Sequence, residues 1–192
     1  MNEKMERALR ATLRPGESIL WQSGTQPFRI TDGKEGRRTL LCWLAGTACI
    51  VAIVAFFAAN DAATARFLVL MLLLLALVVF SPLLSYRQLL EQHYVITQER
   101  ALLLRGDGSV YAMERGDIGS FRIYPMEFGG ASLALGDELL EEKDRQLRWR
   151  ANHPKESADQ NGVNTVRGMV FYHVERAEEA LRLLLSAGAK EA

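Results

Sequence analysis

Two uninterrupted apolar runs, residues 39–59 and 67–84, dominate the alternation of hydrophobic and polar positions along the chain, and neither contains an Asp, Glu, Lys, Arg or His. A hydrocarbon core about 30 Å thick needs roughly 20 apolar helical residues, and each run reaches or approaches that length with its flanks. The pattern predicts a membrane α-helical hairpin of two spans, with residues 60–66 as a short link. A buried helical hairpin is the alternative reading, and the remaining chain is too small to enclose one. Ahead of the spans, residues 2–13 read as an amphipathic helix. Met5, Ala8, Leu9 and Leu13 fall on one side, with Lys4, Arg7, Arg10 and Arg14 opposite. It either lies on anionic headgroups or packs on the rest of the protein with its charged face solvated, and the second reading is preferred. Pro15 and Gly16 end it.

After the spans the period changes to two. Short β-prone runs are expected at residues 94–97, 101–104, 109–113, 121–124, 131–135, 146–150 and 165–174, separated by turn signals such as Gly106-Asp107-Gly108 and Gly129-Gly130. The run 146–150 is read as a half-buried strand because Leu147 and Trp149 alternate with Arg148 and Arg150. A further strand is expected at residues 17–21, and residues 152–164 read as a polar loop. Residues 175–187 return to helical period, with Ala177, Ala180, Leu181 and Leu184 on one stripe and Gly188 as a stop. The expected organisation is an N-terminal arm over residues 1–36, the hairpin over 37–87 and a domain over 88–192. That domain is expected to be an all-β barrel or sandwich closed by its C-terminal helix, able to fold alone with the helix docked through Leu181 and Leu184.

Charge adds a topology. The 192 residues carry 23 Lys and Arg against 23 Asp and Glu, which gives no dominant basic face and argues against a nucleic-acid partner. Lys34, Arg37 and Arg38 precede the first span and Arg87 follows the second, while the link carries Arg66 offset by Asp61. The positive-inside bias therefore expects both termini in the cytoplasm and the link outside. Within the first span, Cys42, Ala45, Gly46, Cys49 and Ala52 set small residues at spacings that allow close helix approach. Cys42 and Cys49 are the only cysteines. About 10 Å apart by helical rise, they cannot bridge each other. The spans hold no ionisable group of the kind that marks a transport path, so they read as an anchor.

The order of these parts resembles the bacterial pleckstrin-homology-like (PH-like) family of membrane-flanked domains. Arg14-Pro15-Gly16-Glu17 with Trp21, Gly24 and Pro27 ahead of the spans, and Tyr94, Ile96, Thr97, Arg100 and Ala101 after them, carry the resemblance. Ile118 and Phe121 fit a following hydrophobic strand, and residues 168–174 with their helix fit the domain's end. The resemblance implies a bacterial inner-membrane, multi-pass protein presenting a PH-like domain to the cytoplasm. Within that pattern Tyr94 and Ile96 anchor a strand to the core, Thr97 holds the turn, and Arg100 pairs with a turn carbonyl or a carboxylate, a reading preferred to contact with a lipid phosphate.

Candidate chemistry is sparse. His93, His153 and His173 are scattered, without metal-ligand spacing, and His173 reads as an ordinary barrel residue. Neither glycine turn has the strand–helix context of a phosphate loop. No catalytic residue, metal ligand or cofactor is expected, and the chain is not read as an enzyme. Arg145, Arg148, Arg150 and Lys155 are the candidates for contact with anionic lipid, with Glu141, Glu142 and Asp144 close by. The reading is a membrane-anchored, non-catalytic binding module for a protein partner or the lipid surface, with homo-oligomerisation open. The alternatives are a structural subunit of a larger membrane complex and, less favoured, a membrane-bound enzyme.

Overall fold

The computed structural model describes residues 1–60, 64–127, 129–136, 147–156, 164–186 and 190–191. It forms two compact units, residues 29–87 and residues 1–28 with 88–192. The expected calls on Asp61, Phe128, residues 137–146, residues 157–163 and Gly188 lie outside the described residues.

The first unit is a helix pair, α2 (Gly33–Ala59) and α3 (Ala65–Leu90). Both are long and apolar enough to cross a membrane, and none of their apolar windows is buried. Each helix has a single half-buried stripe. On α2 it runs through Thr39, Trp43, Gly46, Ile50 and Val54, and on α3 through Phe67, Met71, Leu75, Val78 and Pro82. These steps of three and four place one face of each helix toward the other. At the crossing a Cβ on Gly46 would stand 3.1 Å from Val78 Cγ1, so the glycine lets the helices approach. Near the link the rings of Phe57 and Phe67 stack at 4.6 Å.

Pro82 lies inside α3 and has no N–H to give the carbonyl four residues earlier, that of Val78. The Trp43 indole Nε1 of α2 donates to that carbonyl oxygen at 3.0 Å. A neighbouring helix thus supplies the donor that proline removed.

Among the described residues the second unit is a curled, mixed nine-stranded sheet with a C-terminal helix. Its strands are β1 (Ile19–Gly24), β2 (His93–Thr97), β3 (Arg100–Leu104), β4 (Val110–Glu114), β5 (Ser120–Pro125), β6 (Ala131–Leu135), β7 (Lys155–Glu156), β8 (Asn164–Val174) and β9 (Lys190–Glu191). The order is β1-β2-β3-β4-β8-β6-β5-β9, with β7 also on β8. β1 to β4 form an antiparallel meander, β4 meets the start of β8 in parallel, and β8 continues antiparallel to β6. A bridge between Thr25 and Val174 brings the chain after β1 to the end of β8 and marks the curl.

Residues 1–28, expected as a separate arm, belong to this unit. α1 (Glu3–Thr12) is capped by Asn2, whose Oδ1 accepts the Met5 N–H at 2.8 Å, and lies on β3 and β4. Its preferred reading holds: Met5 and Leu9 are buried against Val95, Leu102, Leu104, Val110 and Ala112. The other sheet face buries Trp21, Tyr94, Ile96, Ala101, Leu103, Phe121 and Phe171 with Ala180 and Leu184 of the C-terminal helix α5 (Ala177–Leu185). β3 serves both cores, odd residues on one face and even ones on the other, which is why Ala101-Leu102-Leu103-Leu104 is apolar without alternation.

One expected strand is a helix. Residues 147–152 form α4 (Leu147–Asn152), not the half-buried strand that the alternation suggested. Four alternating residues are too few to separate period 2 from period 3.6. The buried positions are Ala151 and Asn152, while Trp149 is 53% exposed.

Candidate functional site

Residues from before and after the two apolar helices, among those that carried the resemblance, meet at one buried ion pair. Gly16, at φ +84°, turns the chain after α1 so that Glu17 points inward. Arg100 donates from Nη2 to Glu17 Oε2 at 2.5 Å and from Nε to Oε1 at 3.1 Å, with side-chain exposures of 4% and 0%. The Thr97 hydroxyl donates to Glu17 Oε1 at 2.6 Å, and the Arg14 N–H to Oε2 at 2.8 Å. A second bond from Arg100 Nη2 reaches the Thr12 carbonyl at 2.9 Å. Burial alone would push the Glu17 carboxyl up; the bonds from Arg100, the Arg14 amide and Thr97 outweigh it and bring it down to about 2. Arg100 thus pairs with a carboxylate and with the carbonyl that ends α1. The constellation fastens the arm to β2 and β3.

The other motif residues build the core beside it. Trp21 lies parallel to Phe171, with ring centroids 6.1 Å apart. Ile96 is fully buried. Tyr94 is buried beside Phe171, and its hydroxyl joins Thr25, the Gln92 side chain and the Tyr172 N–H at 2.9–3.0 Å. Burial pushes its phenol up. Gly24 passes close to His93, and Pro27 is exposed.

His173 is not an ordinary strand residue. It has φ +47°, is 3% exposed, and its ring meets backbone carbonyls at both nitrogens: Gln26 O at 3.1 Å from Nδ1 and Gly129 O at 2.8 Å from Nε2. A neutral imidazole can donate to only one of these, and an imidazolium to both. Its own N–H donates to Ser132 Oγ at 2.9 Å, and Phe28 stands edge-on to the ring. Gly130 makes room, since a Cβ there would stand 3.0 Å from the imidazole. The visible signal for this node was Gly129-Gly130, which as sequence reads only as a turn.

The basic residues considered for lipid contact do not form one open cluster. Arg148 turns inward, donating from Nε to the Tyr172 hydroxyl at 2.9 Å with its guanidinium 4.9 Å from the Phe28 ring centre. Arg150 lies over the Trp149 ring at 4.8 Å. Lys155 is exposed on β7 beside Glu156, and Arg145 lies outside the described residues. In the helix pair Gly46 is on the contact stripe, whereas Cys42, Ala45, Cys49 and Ala52 are exposed.

Among the described residues no group of three or more His, Cys, Asp and Glu side chains could hold a metal ion. An open cleft of about 720 Å³ lies at the start of α5. It is lined by Gln26, Gly130, Glu175, Arg176, Glu179 and Arg182 among others, with Arg176 and Glu179 paired at 3.3 Å. Its ionisable lining is Glu175, Glu178 and Glu179 with Arg176 and Arg182. The polar groups with the most organised geometry, Glu17, Thr97, Arg100, Tyr94 and His173, are spent on holding segments together. Compared with protein-family models, with curated proteins and with solved structures, the chain matches none.

Proposed function

We propose that the chain is a membrane-anchored, non-catalytic binding module of PH-like character. The helix pair inserts as a two-span hairpin in a bacterial inner membrane, with both termini cytoplasmic, and the sheet unit offers its surface to a protein partner or to lipid. The observation that carries this reading is the outer surface of the helix pair. Leu41, Leu72 and Leu77 are each about two-thirds exposed, an apolar area too large for water to tolerate on a lone protein. Lys34, Arg37, Arg38 and Arg87 flank the apolar runs and favour cytoplasmic ends. The non-catalytic part rests on the organised polar groups being bonded internally.

The test is one cysteine at Thr64 in a chain lacking Cys42 and Cys49. An impermeant thiol reagent should label it from outside intact cells; labelling only after lysis would reverse the topology. Resistance of the chain to alkaline extraction from membranes checks insertion itself, and co-purification in mild detergent identifies partners. A second reading, a structural subunit of a larger complex, is favoured by the stripe Cys42, Ala45, Cys49 and Ala52, which is left exposed beside the α2–α3 contact.

A further inference from the structure

We propose that α5 is a lid: it swings off the sheet unit as one piece, while the sheet stays folded, and uncovers the apolar floor beneath it. In the closed form α5 touches β1 at one end of the strand order and β6 toward the other, so it spans the side that the curled sheet leaves open. The core it covers includes Trp21, Phe121 and Phe171. Its own seal is small. Among the described side chains of α5, Ala180 and Leu184 are fully buried, and Ala177, Leu181 and Leu183 are half-buried. At nine residues α5 is shorter than the roughly 12–15 that a helix needs to persist unaided, so its contact with the sheet unit decides where it stays.

Both ends of α5 and the seam under it carry a cost. The chain enters α5 from Val174, which is fixed by pairing with Ala131 and Thr25. Two exposed turn residues, Glu175 and Arg176, then form the hinge. Arg176 has φ +54°, a left-handed conformation that a non-glycine residue adopts at a cost. It is also the N-cap, and its side chain makes no capping bond to the first N–H groups of the helix. At the other end Arg115 holds the last turn, donating from Nη2 to the Leu183 carbonyl and to Ser186 Oγ. Beyond it, β9 pairs with β5 over two residues. In the seam, Trp21 Nε1 and Arg115 Nε are buried without a partner. A buried donor left unbonded is destabilising, and both of these belong to residues that dock α5. Opening brings the two donors to water, so the closed form forgoes that gain to keep its apolar seal. Elsewhere in the unit Thr97, Arg100, Tyr94 and His173 are bonded where they are buried.

The test is amide hydrogen exchange, read by NMR, on the full chain in mild detergent. Amides of residues 181–184 should share one exchange protection, at least about tenfold weaker than that of β2 and β3. Equal protection in α5 and the strands would overturn the proposal and make the helix part of the core. Protection that falls steadily toward residue 184 would mean fraying and overturn it too. Arg115→Met removes the bond to the Leu183 carbonyl and should weaken protection in α5 by a further tenfold or so, with β2 and β3 unchanged. Acceleration of helix and strands together would count against a separate lid. Arg176→Asn, which suits the left-handed region, should slow exchange in α5 about two- to fivefold, and an unchanged rate would remove the hinge from Arg176. Ala180→Cys, in a chain lacking Cys42 and Cys49, places a thiol under the closed helix. It should react with an added thiol reagent under native conditions, at a rate that Arg115→Met raises in step with the exchange. A thiol that reacts only in denaturant would overturn the lid, whether or not the other variants fold.

Discussion

The helix pair and the sheet unit solve opposite solvation problems. In the sheet unit apolar side chains such as Leu103, Leu133 and Phe171 are wholly inside, and Glu17, Thr97, Arg100, Tyr94 and His173 are gathered into bonded nodes, while Trp21 Nε1 and Arg115 Nε are buried without a partner. In the helix pair the long apolar side chains point outward and the contact stripe is only half-buried. Water drives the first arrangement, by the free energy of removing apolar surface from it. In the bilayer proposed above it would not drive the second, where close packing and satisfied backbone groups would hold the helices together. The difference shows in how each region treats a costly polar feature. The sheet unit buries a carboxylate and a guanidinium and surrounds them with donors and acceptors. The helix pair has a carbonyl orphaned by Pro82 and covers it with the Trp43 N–H.

The largest test of this comparison is to cut the two regions apart. Residues 88–192 alone should fail to fold, against the expectation from sequence. They lack β1, Trp21, the α1 cover over Val95, Leu102 and Leu104, and the Glu17 partner of Arg100. Residues 1–28 joined to 88–192 through a flexible Gly/Ser link should instead give a soluble, cooperatively unfolding protein. Circular dichroism and denaturant melts of both proteins decide it, and a folded 88–192 would show that the arm is dispensable.

Arg100→Met comes next. It leaves the Glu17 carboxylate buried without its cation and should cost about 3–5 kcal/mol, while Glu17→Leu combined with Arg100→Met should recover much of that loss in the same melts. The pH dependence follows from the same pair. The folded-state carboxyl is held at about 2, below its unfolded value near 4.5. The stability it contributes is complete above the unfolded value and is lost as pH falls from there toward 2. Stability measured across that window should decline less steeply in the double variant.

Smaller effects are expected in the helix pair. Gly46→Leu forces side-chain atoms against Val78 and should weaken the contact by about 1–3 kcal/mol, read as lower thermal stability in detergent. An unchanged melt would mean that the Gly46 contact does not hold the pair. Trp43→Phe should cost least, about 0.6–1 kcal/mol for one interhelical hydrogen bond. Pro82→Ala should then reduce the penalty, because the helix regains its own donor for Val78. If the two changes are simply additive, the indole is not serving that carbonyl.

Much of this molecule was legible as local pattern. Runs of about twenty apolar residues are long enough to specify long helices, and the stripe Met5, Ala8, Leu9 and Leu13 specified an amphipathic α1. Short β-prone runs bounded by Gly and Asp turns did the same for β2 to β6, because residue type and turn chemistry are properties of neighbouring residues. Glu17 and Arg100 were visible as motif positions, but 83 residues separate them, and only the sheet register brings them into one ion pair. The arm had to be placed by contacts that sequence order hides, since the two apolar helices interrupt the unit it completes. At α4 the local alternation misled, because Arg148 finds Phe28 and Tyr172 to pack on and leaves Trp149 outside. His173 was opaque for the same reason: its role depends on the Gln26 and Gly129 carbonyls, and distant backbone oxygens leave no trace in the pattern around a residue.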